Sequence, residues 1–109
     1  MIAALLISAA VVSPDIDHPV WKHLPATTVL AKAWPLGEDD SLPQRFDIDL
    51  RCRILNATGH VRCIVVGESP AGYGVGAKVA AAFSRFALYD MRAAVPGQVV
   101  IQHYVVAQG

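Results

Sequence analysis

The stretch from Phe46 to Val66, FDIDLRCRILNATGHVRCIVV, constrains this chain more than any other. Its first half alternates strictly. Phe46, Ile48, Leu50, Cys52 and Ile54 point one way, and Asp47, Asp49, Arg51 and Arg53 point the other. A period of two means an extended strand with one buried and one wet face. Asn56-Ala57-Thr58-Gly59 then supplies turn chemistry, because Asn starts turns and Gly accepts a positive φ. Val61, Cys63 and Val65 resume the apolar row against Arg62 and Ile64. The pattern predicts a β-hairpin.

Both cysteines of the chain lie in this hairpin, eleven positions apart. With a four-residue loop at Asn56–Gly59, Leu55 faces His60 and Cys52 lies opposite Cys63. Opposed residues have Cβ atoms about 4.5–5.5 Å apart, close enough for a disulfide after small adjustment. A bulge at Gly59 would slip the register and set Cys52 opposite Ile64. The matching apolar faces favour the first register, and with it a Cys52–Cys63 bridge.

The chain has 109 residues, which suits one domain. Apolar residues make up 54%, enough to build a core and to exclude disorder. Nine basic and nine acidic residues cancel, and no Lys/Arg stripe forms. No nucleic-acid partner is therefore expected, since phosphate neutralisation supplies most of that affinity, and the charge balance gives no support to an acidic or membrane-surface partner either.

Residues 1–12 contain an uncharged apolar run, Ile2 to Val12, too short for a span that needs about 20 residues. The run has the length of a signal-peptide core, with Ser8-Ala9-Ala10 near a plausible cleavage point but no basic residues before it. The other reading is a buried strand or an early core helix. Export is the expectation taken here, because opposed cysteines suit an oxidising compartment. Residues 13–26 (through SPDIDHPVWKHLP) read as a linker or loop, with Val20 and Trp21 packing on the body of the domain. The domain proper is assigned to 27–109.

Thr27 to Trp34 predicts two helical turns, capped by Thr27 or Thr28 and ended by Pro35. Gly37 to Pro43 is a polar connection into the first hairpin strand. After the hairpin, Gly67 to Gly76 is a loop of flexible residues that leads into a helix over Ala77–Tyr89. Its apolar stripe is Val75, Val79, Phe83 and Phe86, and Lys78, Ala81 and Arg85 lie on another face. Pro96-Gly97 turns the chain into a last strand, Gln98–Val106, rich in β-branched residues. The long helix must cross over the sheet. If the last strand lands beside the first hairpin strand, the sheet is antiparallel in the order 2-1-3. The expected fold is α+β: a two-layer sandwich of one three-stranded sheet, one main crossover helix and a short N-terminal helix.

The hairpin LRCRILNATGHVRCIVV, the loop ESPAGYGVG, the helix KVAAAFSRF and the strand QVVIQHYVV resemble the C-terminal domain of TonB-type energy transducers. Trp21, Pro25 and Ala33-Trp34-Pro35 are similar to the lead-in of a cysteine-containing branch of that family. The resemblance covers Trp21 to Val106 and rests on spacing and loop chemistry. It implies a periplasmic domain that takes the TonB box, a short peptide of outer-membrane TonB-dependent receptors, as an added strand on its last strand. The implied peptide-binding residues are Val99, Val100, Ile101, Gln102, His103, Tyr104, Val105 and Val106. The residues themselves agree in one respect. In a 2-1-3 sheet the last strand is an edge, and Val99 to Val106 contains no Lys, Asp, Glu or Pro to block strand addition or a homodimer through that edge. Cover by the N-terminal segment is the competing expectation. The family's transducers also need a membrane-anchoring helix and a long Pro-rich spacer, and these 109 residues contain neither. The expectation is that peptide binding carries over and energy transduction does not. The alternative is a small exported structural or interaction domain that keeps only the fold.

Other motifs are weaker. Gly72-Tyr73-Gly74-Val75-Gly76-Ala77-Lys78 departs from both the Walker loop and the dinucleotide fingerprint, so a flexible loop entering a tightly packed helix is expected and no cofactor. His18, His23, His60 and His103 lack zinc-site spacing, and no metal is expected. The cysteines lack the CxxC arrangement of redox centres. Glu68 and Asp90 are the nearest approach to catalytic carboxylates, but neither has a paired acid, and Glu68 reads better as a cap for its own turn. Trp34, Phe83, Phe86 and Tyr104 read as core. No feature argues for an enzyme.

Overall fold

The computed structural model describes residues 13–35 and 43–107. The reading of 1–12 as a leader and most of the Gly37–Pro43 connection lie outside the described residues. Among the described residues eight elements follow in order: β1 (Trp21–His23), α1 (Thr27–Ala31), β2 (Arg45–Ile54), β3 (Val61–Ser69), α2 (Val75–Phe86), β4 (Leu88–Tyr89), a single 3-10 turn (Met91–Ala93) and β5 (Val99–Ala107). The fold is α+β with antiparallel sheets and two helices.

β3, β2 and β5 form an antiparallel sheet with β2 in the centre. β2 buries every second residue, and Phe46, Ile48, Leu50, Cys52 and Ile54 are all at most 1% exposed. That face receives α2, whose Val75, Val79 and Phe83 are fully buried on a helical stripe. The hairpin loop closes as its residues dictate. The Asn56 Oδ1 accepts from the N–H groups of Thr58, Gly59 and His60, and the Leu55 N–H donates to the His60 carbonyl. The register brings Cys52 opposite Cys63, and the two form a disulfide. Closing so short a loop contributes about 2–3 kcal/mol in the chain-entropy model. A Cys52→Ala/Cys63→Ala protein is expected to lose that much in urea unfolding. A loss below about 1 kcal/mol would show that the packed hairpin holds its register without the bridge.

The sequence reading places all strands in one three-stranded sheet. The structure has two sheets, because β1 pairs antiparallel with β4 in a separate two-stranded ribbon. Neither strand is long enough to show a period. They form because the half-buried Trp21 packs edge-on against Phe83 and Tyr89, with ring centroids 5.4 and 5.1 Å away. α2 therefore stops at Phe86, where Ala87 turns extended, and does not run on to Tyr89. Phe86 falls beyond the buried stripe and is 41% exposed, so it is not core. Trp34 and Tyr104 pack on the core as partly buried residues, and Phe83 lies within it. α1 begins at an extended Ala26 with no side-chain cap, so the threonines do not serve. The segment 13–26 contains β1 and a bridge to β5, which makes it more than a linker, although Val20 itself is 55% exposed.

A bulge between Val65 and Gly67 leaves Val66 as the extra residue of β3. One added residue exchanges the two faces of all that follows, so Glu68 stands opposite Ile48 on the helix side. Its Oε1 accepts from the Gly76 N–H in the first turn of α2 at 2.9 Å. The carboxylate meets an orphan donor at the positive end of the helix dipole. A Cβ on Gly76 would collide with that oxygen and crowd Val65.

Candidate functional site

Bridge geometry decides which backbone groups of β5 face outward. The Ile16 N–H donates to the Val99 carbonyl at 2.8 Å, and the Ile101 N–H donates to the Ile16 carbonyl at 2.7 Å. Alternation along a strand then sends the N–H and C=O groups of His103 and Val105 outward as well, and those of Val100, Gln102, Tyr104 and Val106 toward β2. Among the described residues, the His103 and Val105 N–H groups have no backbone partner beyond the sheet. The His103 carbonyl accepts from the Gln102 Nε2.

The edge assigned from sequence therefore divides in two. At Val99–Ile101 it is occupied by residues 14–16, which also supply the Pro14 carbonyl to Gln98 Nε2 at 2.9 Å and the Asp15 carboxylate to Arg51 at 3.4 Å. From His103 to Ala107 it is open among the described residues. Of the eight site residues, Val100 and Val106 bury their side chains and Tyr104 packs against Phe83, so each can offer an incoming strand little beyond its place in the ladder. Ile101, His103 and Val105 project from the opposite face of the sheet.

One contact at this edge and one at the opposite rim of the sheet escaped the sequence reading. The Trp21 Nε1–H donates to Gln102 Oε1 at 2.7 Å, so the indole holds the side chain that covers the His103 carbonyl. Ser84 acts on the other rim of the sheet, where its hydroxyl accepts from the Cys63 N–H at 2.8 Å and occupies one outward donor of β3. A helical Ser carries no signal of such a role.

His103 sits between two acids. Its Nδ1 lies 2.7 Å from Asp49 and its Nε2 lies 3.3 Å from Asp47. The hydrogen bond to Asp49, aided by the charges of Asp49 and Asp47, raises its pKa above the ordinary 6.5. Asp47 is held below its ordinary value, chiefly by the Arg45 guanidinium, which binds both carboxylate oxygens. Because the folded pKa of His103 is the higher one, its stabilising contribution is complete below about pH 6.5 and fades as pH rises through that raised value. An NMR titration of the imidazole should give a pKa above 6.5 that falls back in Asp49→Asn. A titration unmoved by that change would remove Asp49 as the cause.

The remaining candidates are occupied by structural roles. Asp90 grips Arg92 through both oxygens and accepts from its backbone N–H, which holds the carboxyl below its ordinary range. Glu68 binds Gly76, so the backbone donor that a phosphate would use at this glycine loop already has a carboxylate. Its Oε2 is buried without a partner among the described residues. His18 and His60 bond to their neighbours Asp17 and Asn56. Among the described residues no group of His, Cys, Asp and Glu is placed to hold a metal, and no helix is long and apolar enough to cross a membrane.

No family model matches the chain, and neither a curated protein nor a solved structure matches it.

Proposed function

We propose that this domain is a non-enzymatic, periplasmic peptide-binding module like the C-terminal domain of TonB-type transducers, and that it takes an extended segment as an added strand on β5. One observation carries the reading: the outer edge of β5 already accepts extended backbone at Ile16, and the next outward donors, on His103 and Val105, stand open among the described residues. Main-chain pairing supplies affinity in such additions, and side-chain pockets supply selectivity. The partner class proposed is the TonB box of outer-membrane receptors, bound along His103–Ala107. The disulfide is consistent with an oxidising compartment. The helix-on-sheet frame around β2 is compatible with the resemblance, and the β1–β4 ribbon is an addition to the expected sheet.

The same bridge favours a second reading. Because residues 14–16 already occupy Val99–Ile101, the edge can serve chiefly to tie down the chain's own preceding segment. The protein is then a small exported structural or interaction domain without energy transduction.

A backbone-amide NMR titration with a TonB-box peptide separates the two. Shifts confined to His103–Ala107 and the Trp21 indole support strand addition, and no shifts at high peptide concentration support the second reading. Val105→Pro sharpens the test, because it deletes an outward N–H that β2 does not use. Peptide affinity should fall about tenfold, roughly 1.4 kcal/mol, with the fold retained. Unchanged affinity would move the site elsewhere.

A further inference from the structure

The face of the three-stranded sheet that points away from α2 breaks a pairing rule. Arg53 on β2 lies directly opposite Arg62 on β3, and Arg51 is two residues back along β2 on the same face. Like charges directly opposed across strands destabilise a sheet. Departures from local preference concentrate where a protein binds something. With Leu55 and Ile64, which are 53% and 56% exposed, the three arginines line an open groove of about 260 Å³ at the hairpin end of the sheet.

The charges on this face are paired unevenly. Asp47 and Asp49, toward the other end of β2, are engaged by Arg45 and His103. Arg51 reaches Asp15 at 3.4 Å. Among the described residues, neither Arg53 nor Arg62 has an acid within 4 Å. Among the described residues, Asp47 and Asp49 have partners on this face, and these two guanidinium groups have none.

We propose that this groove docks an acidic, partly apolar extended segment of a partner protein. In an extended segment alternate side chains fall about 6.6–6.8 Å apart on one face, the same step that separates Arg51, Arg53 and Leu55 along β2. A segment reading Leu-X-Glu-X-Glu on one face lays its leucine on Leu55, its first carboxylate between the forks of Arg53 and Arg62, and its second beside Arg51, where Ile64 stands opposite. Arginine suits such pairs because its planar fork meets a carboxylate through two parallel bonds. A second copy of this chain fits less well, because the acids it would present on this face are already paired. An anionic bilayer laid on the sheet would meet Asp47 and Asp49 together with the arginines. A narrow segment at the hairpin end meets the arginines alone. The groove is on the face of the sheet, so it stands apart from strand addition at the β5 edge.

The test is an NMR titration of the full chain with the peptide acetyl-Leu-Ser-Glu-Ser-Glu-amide, and with the same peptide carrying Lys for Glu. Shifts should gather on Arg51–Leu55 and Arg62–Ile64 and leave His103–Ala107 in place. Affinity should weaken at least threefold between 25 and 250 mM NaCl, as expected for screened ion pairs, and the Lys peptide should not bind. Arg62→Glu and Arg53→Glu should each weaken binding about tenfold. Each replaces a like-charge pair by an opposite one, so the melting temperature should hold or rise, and lost binding cannot then be assigned to misfolding. Equal binding of the Lys peptide, full affinity in both variants, or shifts on the helical surface at Lys32, Lys78 and Arg85 would overturn the proposal. So would co-sedimentation with vesicles containing phosphatidylserine when the acidic peptide causes no shifts, an outcome that would assign the face to a membrane.

Discussion

Phe83→Ala is expected to cost about 3–5 kcal/mol, the range for removing a fully buried aromatic ring. Phe83 has no exposed surface and sits where α2, β1 and β5 converge. Its ring meets Trp21 at 5.4 Å and Tyr104 at 5.8 Å in edge-to-face contacts, which add to simple burial. The consequence reaches the candidate site. Trp21 holds Gln102, and Gln102 covers the His103 carbonyl, so a cavity at Phe83 loosens the edge as well as the core. Urea unfolding measures the first effect, and a red shift of tryptophan emission in the folded state measures the second. Phe86→Ala is the control, because that ring lies over Arg85 at the surface and its loss should cost less than about 1 kcal/mol. Equal costs for the two rings would contradict the assignment of Phe83 to the core and Phe86 to the surface.

Gly59→Ala is expected to cost about 3 kcal/mol for two separable reasons. Gly59 has φ 101°, in the left-handed region that costs other residues roughly 1–2 kcal/mol. It also packs against backbone. A Cβ would lie 2.9 Å from the Tyr89 nitrogen and closer still to the Tyr89 carbonyl oxygen. Neither atom is the end of a flexible side chain, so the hairpin loop and β4 must part. The Tyr89 N–H donates to the Gly59 carbonyl at 2.8 Å, and a buried donor left unpaired costs about 1–3 kcal/mol. Denaturant unfolding gives the sum. Gly72→Ala isolates the conformational part, because Gly72 has φ 94° with nothing within 4 Å of its missing Cβ. If both substitutions cost the same, the Gly59–Tyr89 contact contributes nothing.

The candidate site divides along similar lines. Its strand was readable because β-branched and aromatic residues favour extended chain, and its edge position followed from the 2-1-3 strand order. Cover of that edge by the N-terminal segment was the competing expectation, and it holds at Val99–Ile101; how far the cover runs was not legible, because Ser13–Pro25 presents no periodic pattern. The opposed arginines could have been found from the hairpin register alone, since a register that faces Cys52 with Cys63 also faces Arg53 with Arg62. Gln102 reads as an ordinary strand residue until the Trp21 indole is beside it.

By itself, the sequence determined the central hairpin. The alternation of Phe46–Ile54, the Asn56–Gly59 turn and the facing cysteines are local properties, each enforced by neighbours a few residues away. It also determined the buried stripe Val75, Val79 and Phe83, because helical spacing depends on composition along one segment. The tertiary structure alone decided where α2 stops, which side of the sheet Glu68 faces and how much of β5 stays open. Each of these turns on an encounter between distant segments: Trp21 with Tyr89, the β3 bulge against β2, and Ile16 with Val100. Such encounters are selected by packing and by satisfying backbone donors, and neither leaves a period in the chain.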